Sequence, residues 1–107
     1  ALGHPPVHRL VLVKIEGSQR AKTFERAAAL ARDLRAAAGK ADIEIGIAGP
    51  VAAPMARLVG RWRFQVVLRG PRSPQFRDWL SSQSELLSGA HGRGARVVVD
   101  VDPRSLL

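Results

Sequence analysis

Residues 60–69 read GRWRFQVVLR, and this regular alternation of polar and apolar side chains is typical of a β-strand. The apolar phase of the strand consists of Trp62, Phe64, Val66 and Leu68. The polar phase carries an arginine row, which we define as Arg61, Arg63 and Arg69, with Gln65 in the same phase. We therefore expect the apolar phase to pack against helices and the arginine row to lie on the opposite, open face of a sheet.

The arginine row belongs to a segment without acidic residues. From Ile45 to Arg77 the chain has no Asp or Glu in 33 residues, whereas it has six arginines and no lysine. Guanidinium groups bind phosphates and carboxylates through two parallel hydrogen bonds, which a lysine cannot form. We expect the row to bind an anion from another molecule. A solvated strand face with modest surface salt bridges is the simpler alternative.

Three further strands are expected around this one, because three other segments are rich in β-branched or alternating apolar residues. They cover residues 8–15, 43–47 and 96–102. Glycine and proline are expected to end the strands, with Gly49-Pro50 closing the second and Gly70-Pro71 closing the third.

Two helices complete the pattern. The first is predicted from an N-cap at Ser18 to a C-cap at Gly39, and the second from Ser73-Pro74 to about residue 88. The apolar stripe of the first helix is expected to be Phe24, Ala28, Ala31, Leu34 and Ala38. The order β-α-β-β-α-β with right-handed crossovers predicts a ferredoxin-like α+β sandwich, a four-stranded antiparallel sheet with two helices on one face.

Composition fits one globular domain over residues 1–107, with 46% hydrophobic and 24% charged residues. The net charge of +8 favours polyanionic partners. No apolar run approaches the roughly 18 residues that a bilayer requires, so we expect a soluble, intracellular protein without a membrane partner. Because the chain begins at Ala1 rather than at a methionine, we also expect it to be a fragment of a longer protein.

The sequence gives little support for catalysis. The three histidines are His4, His8 and His91, and none has a carboxylate or nucleophile at a recognisable spacing. Asp100 and Asp102 share a strand face without a third oxygen ligand, and we expect them to neutralise arginines rather than to bind a cation. The chain has no cysteine and no nucleotide-binding or HExxH motif. We therefore do not expect an enzyme.

An RNA-recognition-like module is an alternative, since it shares the order of elements and stacks bases on aromatic residues of its third strand. Here, however, Trp62 and Phe64 are in phase with Val66 and Leu68, so burial of the valine and leucine buries both rings. The whole chain has two tryptophans, three phenylalanines and no tyrosine, so stacking platforms are scarce.

Three segments, in order, resemble a known family. They are LGHPPVHRL at residues 2–10, GPVAAPMARLVGRWRFQ at residues 49–65 and VDVDPRSLL at residues 99–107. Together they are similar to the C-terminal domain of the PriA family, the primosomal replication-restart DNA helicases. The resemblance covers essentially the whole chain.

The resemblance implies that the parent is a bacterial, cytoplasmic and nucleoid-associated ATP-dependent helicase that acts at stalled forks in DNA replication restart. The chain would be the non-catalytic C-terminal domain of that protein. The family's ATP-binding loop, its acidic helicase motif and its zinc-binding cysteines do not occur in these residues. ATP, Mg and Zn are therefore expected of the parent, and no cofactor is expected of this chain.

The resemblance also implies ligands for the domain, which we expect to be a monomer. These are single-stranded and forked DNA, other primosome proteins, and the acidic, phenylalanine-ended tail of single-stranded-DNA-binding protein. By motif, Arg61 and Gln65 match the family's arginine and glutamine for that tail, and Phe64 stands where the family usually has another aromatic residue. The expected contacts to DNA phosphates are Arg57, Arg63, Arg69 and Arg72. A structural domain that only packs on its neighbours remains the alternative.

Overall fold

The computed structural model describes residues 8–58, 60–89 and 95–101, and the side chains of these residues other than 54–58, 88, 89, 95, 96, 100 and 101. Four strands and three helices lie in this part of the chain. In chain order they are β1 (His8–Gly17), α1 (Arg20–Gly39), β2 (Gly46–Leu58), β3 (Arg61–Pro71), α2 (Pro74–Ser82), α3 (Ser84–Gly89) and β4 (Ala95–Val101). None of the described helices is long and apolar enough to cross a membrane.

The sheet has the strand order β2-β3-β1-β4, and all three pairings are antiparallel. This is the strand order of the ferredoxin-like sandwich, so the predicted fold class is confirmed. The two central strands, β1 and β3, pair along the whole length of β1, with Val13 opposite Val66 and Ile15 opposite Phe64. The register therefore joins the apolar phases of both strands on one face.

The core lies between that face and the helices. Val11, Val13 and Ile15 of β1 are fully buried, as are Val66 and Leu68 of β3. Helix α1 contributes Ala27, Leu30, Ala31 and Leu34, and helix α2 contributes Phe76 and Trp79. The predicted inward phase of β3 is confirmed, and the arginine row consequently belongs to the other face of the sheet.

Helix α1 differs from its predicted ends and face. Its N-cap is Gln19 rather than Ser18, and the Gln19 side chain makes no cap hydrogen bond. The Gln19 carbonyl accepts from the Thr23 hydroxyl at 2.6 Å. The helix includes Gly39 and is capped by Lys40. Phe24 is 44% exposed, because the buried face runs through Thr23, Ala27, Leu30, Ala31 and Leu34.

The second helix begins as predicted but is shorter. Ser73 is the N-cap of α2, its hydroxyl accepts from the Phe76 N–H at 3.4 Å, and Pro74 follows at the first helical position. The helix ends at Ser82, and the N–H of its C-cap residue, Gln83, donates to the Leu80 carbonyl at 3.0 Å. The short α3 follows. The single helix expected up to residue 88 is therefore two helices.

Strand β2 is longer than predicted. It starts at Gly46 rather than at residue 43 and runs through Pro50 to Leu58, with register shifts between Ala48 and Val51 and again between Ala52 and Arg57. An edge strand tolerates prolines and bulges, because one side of its backbone needs no partner. The expectation that Gly49-Pro50 ends this strand was wrong for that reason. Strand β3 ends at Pro71, so the expected end of the third strand at Gly70-Pro71 is confirmed.

Candidate anion-binding face of the sheet

The face of the sheet opposite the helices carries the arginine row, and we call it the arginine face. Its described side chains are those in phase with the row. They are Leu10, Leu12, Lys14 and Glu16 of β1, Ala48 and Val51 of β2, Arg61, Arg63, Gln65, Val67 and Arg69 of β3, and Val98 of β4. Among the described side chains of the four strands, Glu16 is the single acid.

The two ends of the row are the most accessible part of this face. Arg61, opposite Leu58, and Arg69, opposite Leu10, are both exposed. At about 3.4 Å per residue they lie roughly 27 Å apart along β3. Neither forms an ion pair with a described side chain. The centre of the face is more covered, since Leu12 is only 5% exposed.

Arg63 has a partner that the sequence did not predict. Its Nε lies 2.9 Å from Glu16 Oε2, and the side chains of arginine and glutamate are 32% and 13% exposed. The same Nε is shielded from solvent, yet its N–H points too far from the carboxylate for a hydrogen bond. The contact is therefore an ion pair. The acid comes from the neighbouring strand and lies outside the segment of residues 45–77, which has no Asp or Glu.

Gln65 lies next to a lysine that the sequence analysis did not select. The register places Gln65 between Lys14 of β1 and Val51 of β2. Both Lys14 and Gln65 are half-buried. Gln65 is four residues from Arg61, about 13 Å along the strand, and Arg63 lies between them. The residues assigned to a protein tail are thus separated by the Arg63–Glu16 ion pair.

Arg72 and Arg57 are placed differently from the row. Arg72 follows β3 in the connection to α2, is exposed, and donates from Nε to the His8 carbonyl at 3.3 Å. By register, the Cα of Arg57 pairs with that of Trp62, which belongs to the apolar phase of β3 and not to the arginine row. The side chain of Arg57 lies outside the described part of the structure.

Arg69 also borders a groove of about 480 Å³ at the end of the sheet where Arg72 lies. The groove is lined by His8, Ile43, Glu44, Gly46, Arg69 and Pro71.

The other residues weighed in the sequence are the two aspartates and the remaining histidines. Asp100 pairs by register with Leu12, but its side chain is outside the described part, and His4, His91 and Asp102 lie outside the described residues altogether. No group of three or more possible metal-ligating side chains occurs among the described residues.

The aromatic residues of β3 lie on the helix side of the sheet. Phe64 is 4% exposed and meets Phe24 edge to face, with 5.3 Å between ring centroids. The Arg20 guanidinium lies over the Trp62 ring at 5.7 Å, a cation–π geometry. Both rings are therefore absent from the arginine face, where an RNA-recognition module would present them.

The fold and the arginine face together define a basic, ferredoxin-like α+β domain. The chain belongs to the family described as the primosomal protein N C-terminal domain, whose model matches residues 1–104. It is 32% identical over 104 residues to the "Probable replication restart protein PriA" of Deinococcus radiodurans. That match covers 97% of this chain and 10% of the relative, so the chain spans about a tenth of the relative's length.

A solved structure supports the fold alone. The de novo designed protein Foldit4 superposes with a TM-score of 0.57 over 91% of this chain and 98% of its own, at 9% sequence identity. The family inferred from the three sequence segments is confirmed, and the fold assignment does not depend on sequence similarity.

Proposed function

We propose that this domain is a non-catalytic DNA-binding and partner-binding module of a replication-restart helicase, and that the arginine face contacts both ligands. One observation carries the proposal: Arg61 and Arg69 are exposed on a regular strand and have no ion pair among the described side chains. A chain with net charge +8 adds a general attraction for polyanions. The similarity to a protein named for replication restart agrees with this function.

For DNA, the proposed contacts are to phosphates. A pleated strand spaces Arg61, Arg63 and Arg69 along one line, and guanidinium groups on such a line suit a charged backbone better than base edges. Arg72 extends the line beyond Arg69, and Arg57 is the fifth proposed contact. Contacts of this kind position a nucleic acid without reading its sequence. Single-stranded and forked DNA are the proposed substrates.

For a protein partner, the proposed ligand is the acidic tail of single-stranded-DNA-binding protein. Arg61 would bind a carboxylate of the tail, and Gln65 would hydrogen-bond its backbone. An extended peptide covers about 3.3–3.6 Å per residue, so roughly four tail residues span the 13 Å between these side chains. Lys14, opposite Gln65, is a further cation within the same surface. The remaining wall of such a pocket would come from other parts of the parent.

The chain spans a tenth of its relative, and we propose that the parent's other activities lie outside this chain. ATP-dependent helicase activity, with ATP, Mg and Zn as cofactors, would reside in the rest of the protein. A cytoplasmic location and contacts with other primosome proteins follow from the same function.

A salt titration of binding to single-stranded DNA tests the proposal. With three or four of these five arginines on phosphates at once, a plot of log affinity against log salt should have a slope of about −2 to −3. The double substitution Arg61→Ala and Arg69→Ala should make the slope shallower by about 1.4 and weaken binding roughly 60-fold at about 50 mM salt. Arg32→Ala with Arg77→Ala is the matched control, because it removes the same charge from exposed positions on the helices.

Three results would contradict the proposal. The first is a slope near zero. The second is equal weakening by the two double variants, which would mean that net charge alone drives binding. The third is unchanged DNA affinity in the variant of the arginine face, which would favour a structural domain that packs on its neighbours.

A further inference from the structure

The Arg63–Glu16 ion pair lies in the middle of the surface that is proposed to bind anions. The contact of 2.9 Å joins the central member of the arginine row to a carboxylate that is only 13% exposed. An exposed salt bridge between long side chains contributes little and exchanges easily with solvent ions. A pair that is shielded from water is screened less by salt, so an external anion must compete with Glu16 for Arg63.

We propose that Glu16 is an intramolecular competitor for the DNA phosphates, which keeps Arg63 occupied and limits binding in the free domain to the ends of the row. The inference rests on the proposed function of the arginine face. In this arrangement Arg61 forms one anion subsite and Arg69 with Arg72 forms another. Arg63 becomes a third subsite only when Glu16 no longer holds it.

A ligand with regularly spaced phosphates gains most when Arg63 is released from Glu16. A strand that is already held at Arg61 and Arg69 keeps further phosphates near Arg63 at a high effective concentration, because the intervening backbone must pass over it. Glu16 therefore determines how strongly the domain distinguishes a continuous polyanion from an isolated anion.

The register explains why this acid reaches the row. Glu16 is two residues beyond Lys14 in β1, so both point to the arginine face, and antiparallel pairing sets Glu16 opposite Arg63. Replacing Glu16 with glutamine keeps the shape of the side chain and removes its charge. Arg63 is then free to bind a phosphate, and a repulsive charge is lost from the face.

The experiment measures the affinity of the chain for a fluorescein-labelled oligothymidylate over a range of salt concentrations. One added phosphate contact steepens the log–log slope by about 0.7, which corresponds to roughly eightfold tighter binding at about 50 mM salt and about fourfold at 150 mM. Glu16→Gln should show this gain. Glu25→Gln is the matched control, since it makes the same charge change at an exposed position of α1 on the helix layer.

Further variants separate the possible causes. In the double variant Glu16→Gln with Arg63→Gln, the slope should return to that of the wild type, because no new contact is formed. Glu16→Asp keeps the charge but shortens the side chain, so it should give a smaller gain in the same direction. It also serves as the test if thermal melting shows that Glu16→Gln does not fold.

The outcomes are distinguishable. The inference is overturned if Glu16→Gln binds no more tightly than Glu25→Gln, or if Glu16→Asp, used in its place, binds no more tightly than the wild type. Binding weaker than that of the wild type would mean that Glu16 orients Arg63 for its ligand. If Arg61→Ala with Arg69→Ala leaves the affinity unchanged, the proposed function itself fails, whatever the result at Glu16.

Discussion

Substitution of Gly70 by alanine should destabilise the domain by overpacking its core. A Cβ atom at Gly70 would lie 2.6 Å from Cδ1 and from Cε1 of Phe76. The backbone at this strand position is compatible with an L-amino acid, because the φ angle of Gly70 is not positive. The effect would therefore come from packing between β3 and α2 rather than from backbone strain.

The size of the effect follows from the position of Phe76. A carbon–carbon contact is favourable at about 3.5–4.0 Å, so the ring would have to move by roughly 1 Å. Phe76 is fully buried and its ring is stacked against Trp79, with centroids 6.1 Å apart. Forcing such a group away from its packing costs typically 1–3 kcal/mol, and we expect about 2 kcal/mol here.

Gly46→Ala is the matched control, because it adds the same methyl group to a strand glycine. A Cβ there would meet only ordinary contacts with Arg69, at 3.9 Å or more. Reduced entropy of the unfolded chain should then make the substitution neutral or stabilising by up to about 1 kcal/mol. The free energy of unfolding is measured by urea denaturation of both variants. Equal stability of the two variants would refute the proposed packing of Phe76 on Gly70.

Two further substitutions test local hydrogen bonds by urea denaturation. Ser73→Ala removes the acceptor of the Phe76 N–H at the start of α2 and should lower the free energy of unfolding by about 0.5–1 kcal/mol. The control is Ser81→Ala, at an exposed position inside the same helix, which should change the free energy of unfolding by less. Arg35→Ala removes the guanidinium that donates from Nη2 to the Gly49 carbonyl at 2.6 Å. Loss of this hydrogen bond should lower the free energy of unfolding by roughly 0.5–1.5 kcal/mol. An unchanged denaturation midpoint would show that the bond is not maintained in solution.

The sequence predicted the central strands well because their patterns carry large differences in side-chain volume and polarity. Trp62, Phe64 and Leu68 alternate with charged and polar residues, so the inward face of β3 was unambiguous. The stripe of α1 is weakly marked, since eight of its twenty residues are alanines, which differ little in volume from face to face. Phe24 was therefore assigned to the buried stripe, although it is 44% exposed.

Two other features could not be predicted from local patterns. The continuation of β2 past Pro50 depends on its place at the edge of the sheet, and position in a sheet is a property of the whole fold. The pairing of Arg63 with Glu16 depends on the register between two strands that are far apart in the sequence. Glu16 lies outside the segment of residues 45–77 that has no Asp or Glu, so that segment alone could not indicate it. In β1, Lys14 and Glu16 alternate with the apolar Val13 and Ile15. This alternation could have indicated that Glu16 lies on the same face as the arginine row.

The arrangement of charges on the arginine face is determined by the opposite face of the same strands. Val13 and Val66 are fully buried partners, and their burial fixes which face of the sheet each side chain of β1 and β3 occupies. A slip of one residue would turn Lys14 and Glu16 into the core and expose the valines, which makes that register highly unfavourable. Core packing thus keeps Glu16 and Arg63 on the same face. Substitutions of charged residues on the arginine face should therefore change ligand affinity without changing which side chains are neighbours, and the effects measured at Glu16, Arg61 and Arg69 can be interpreted as local.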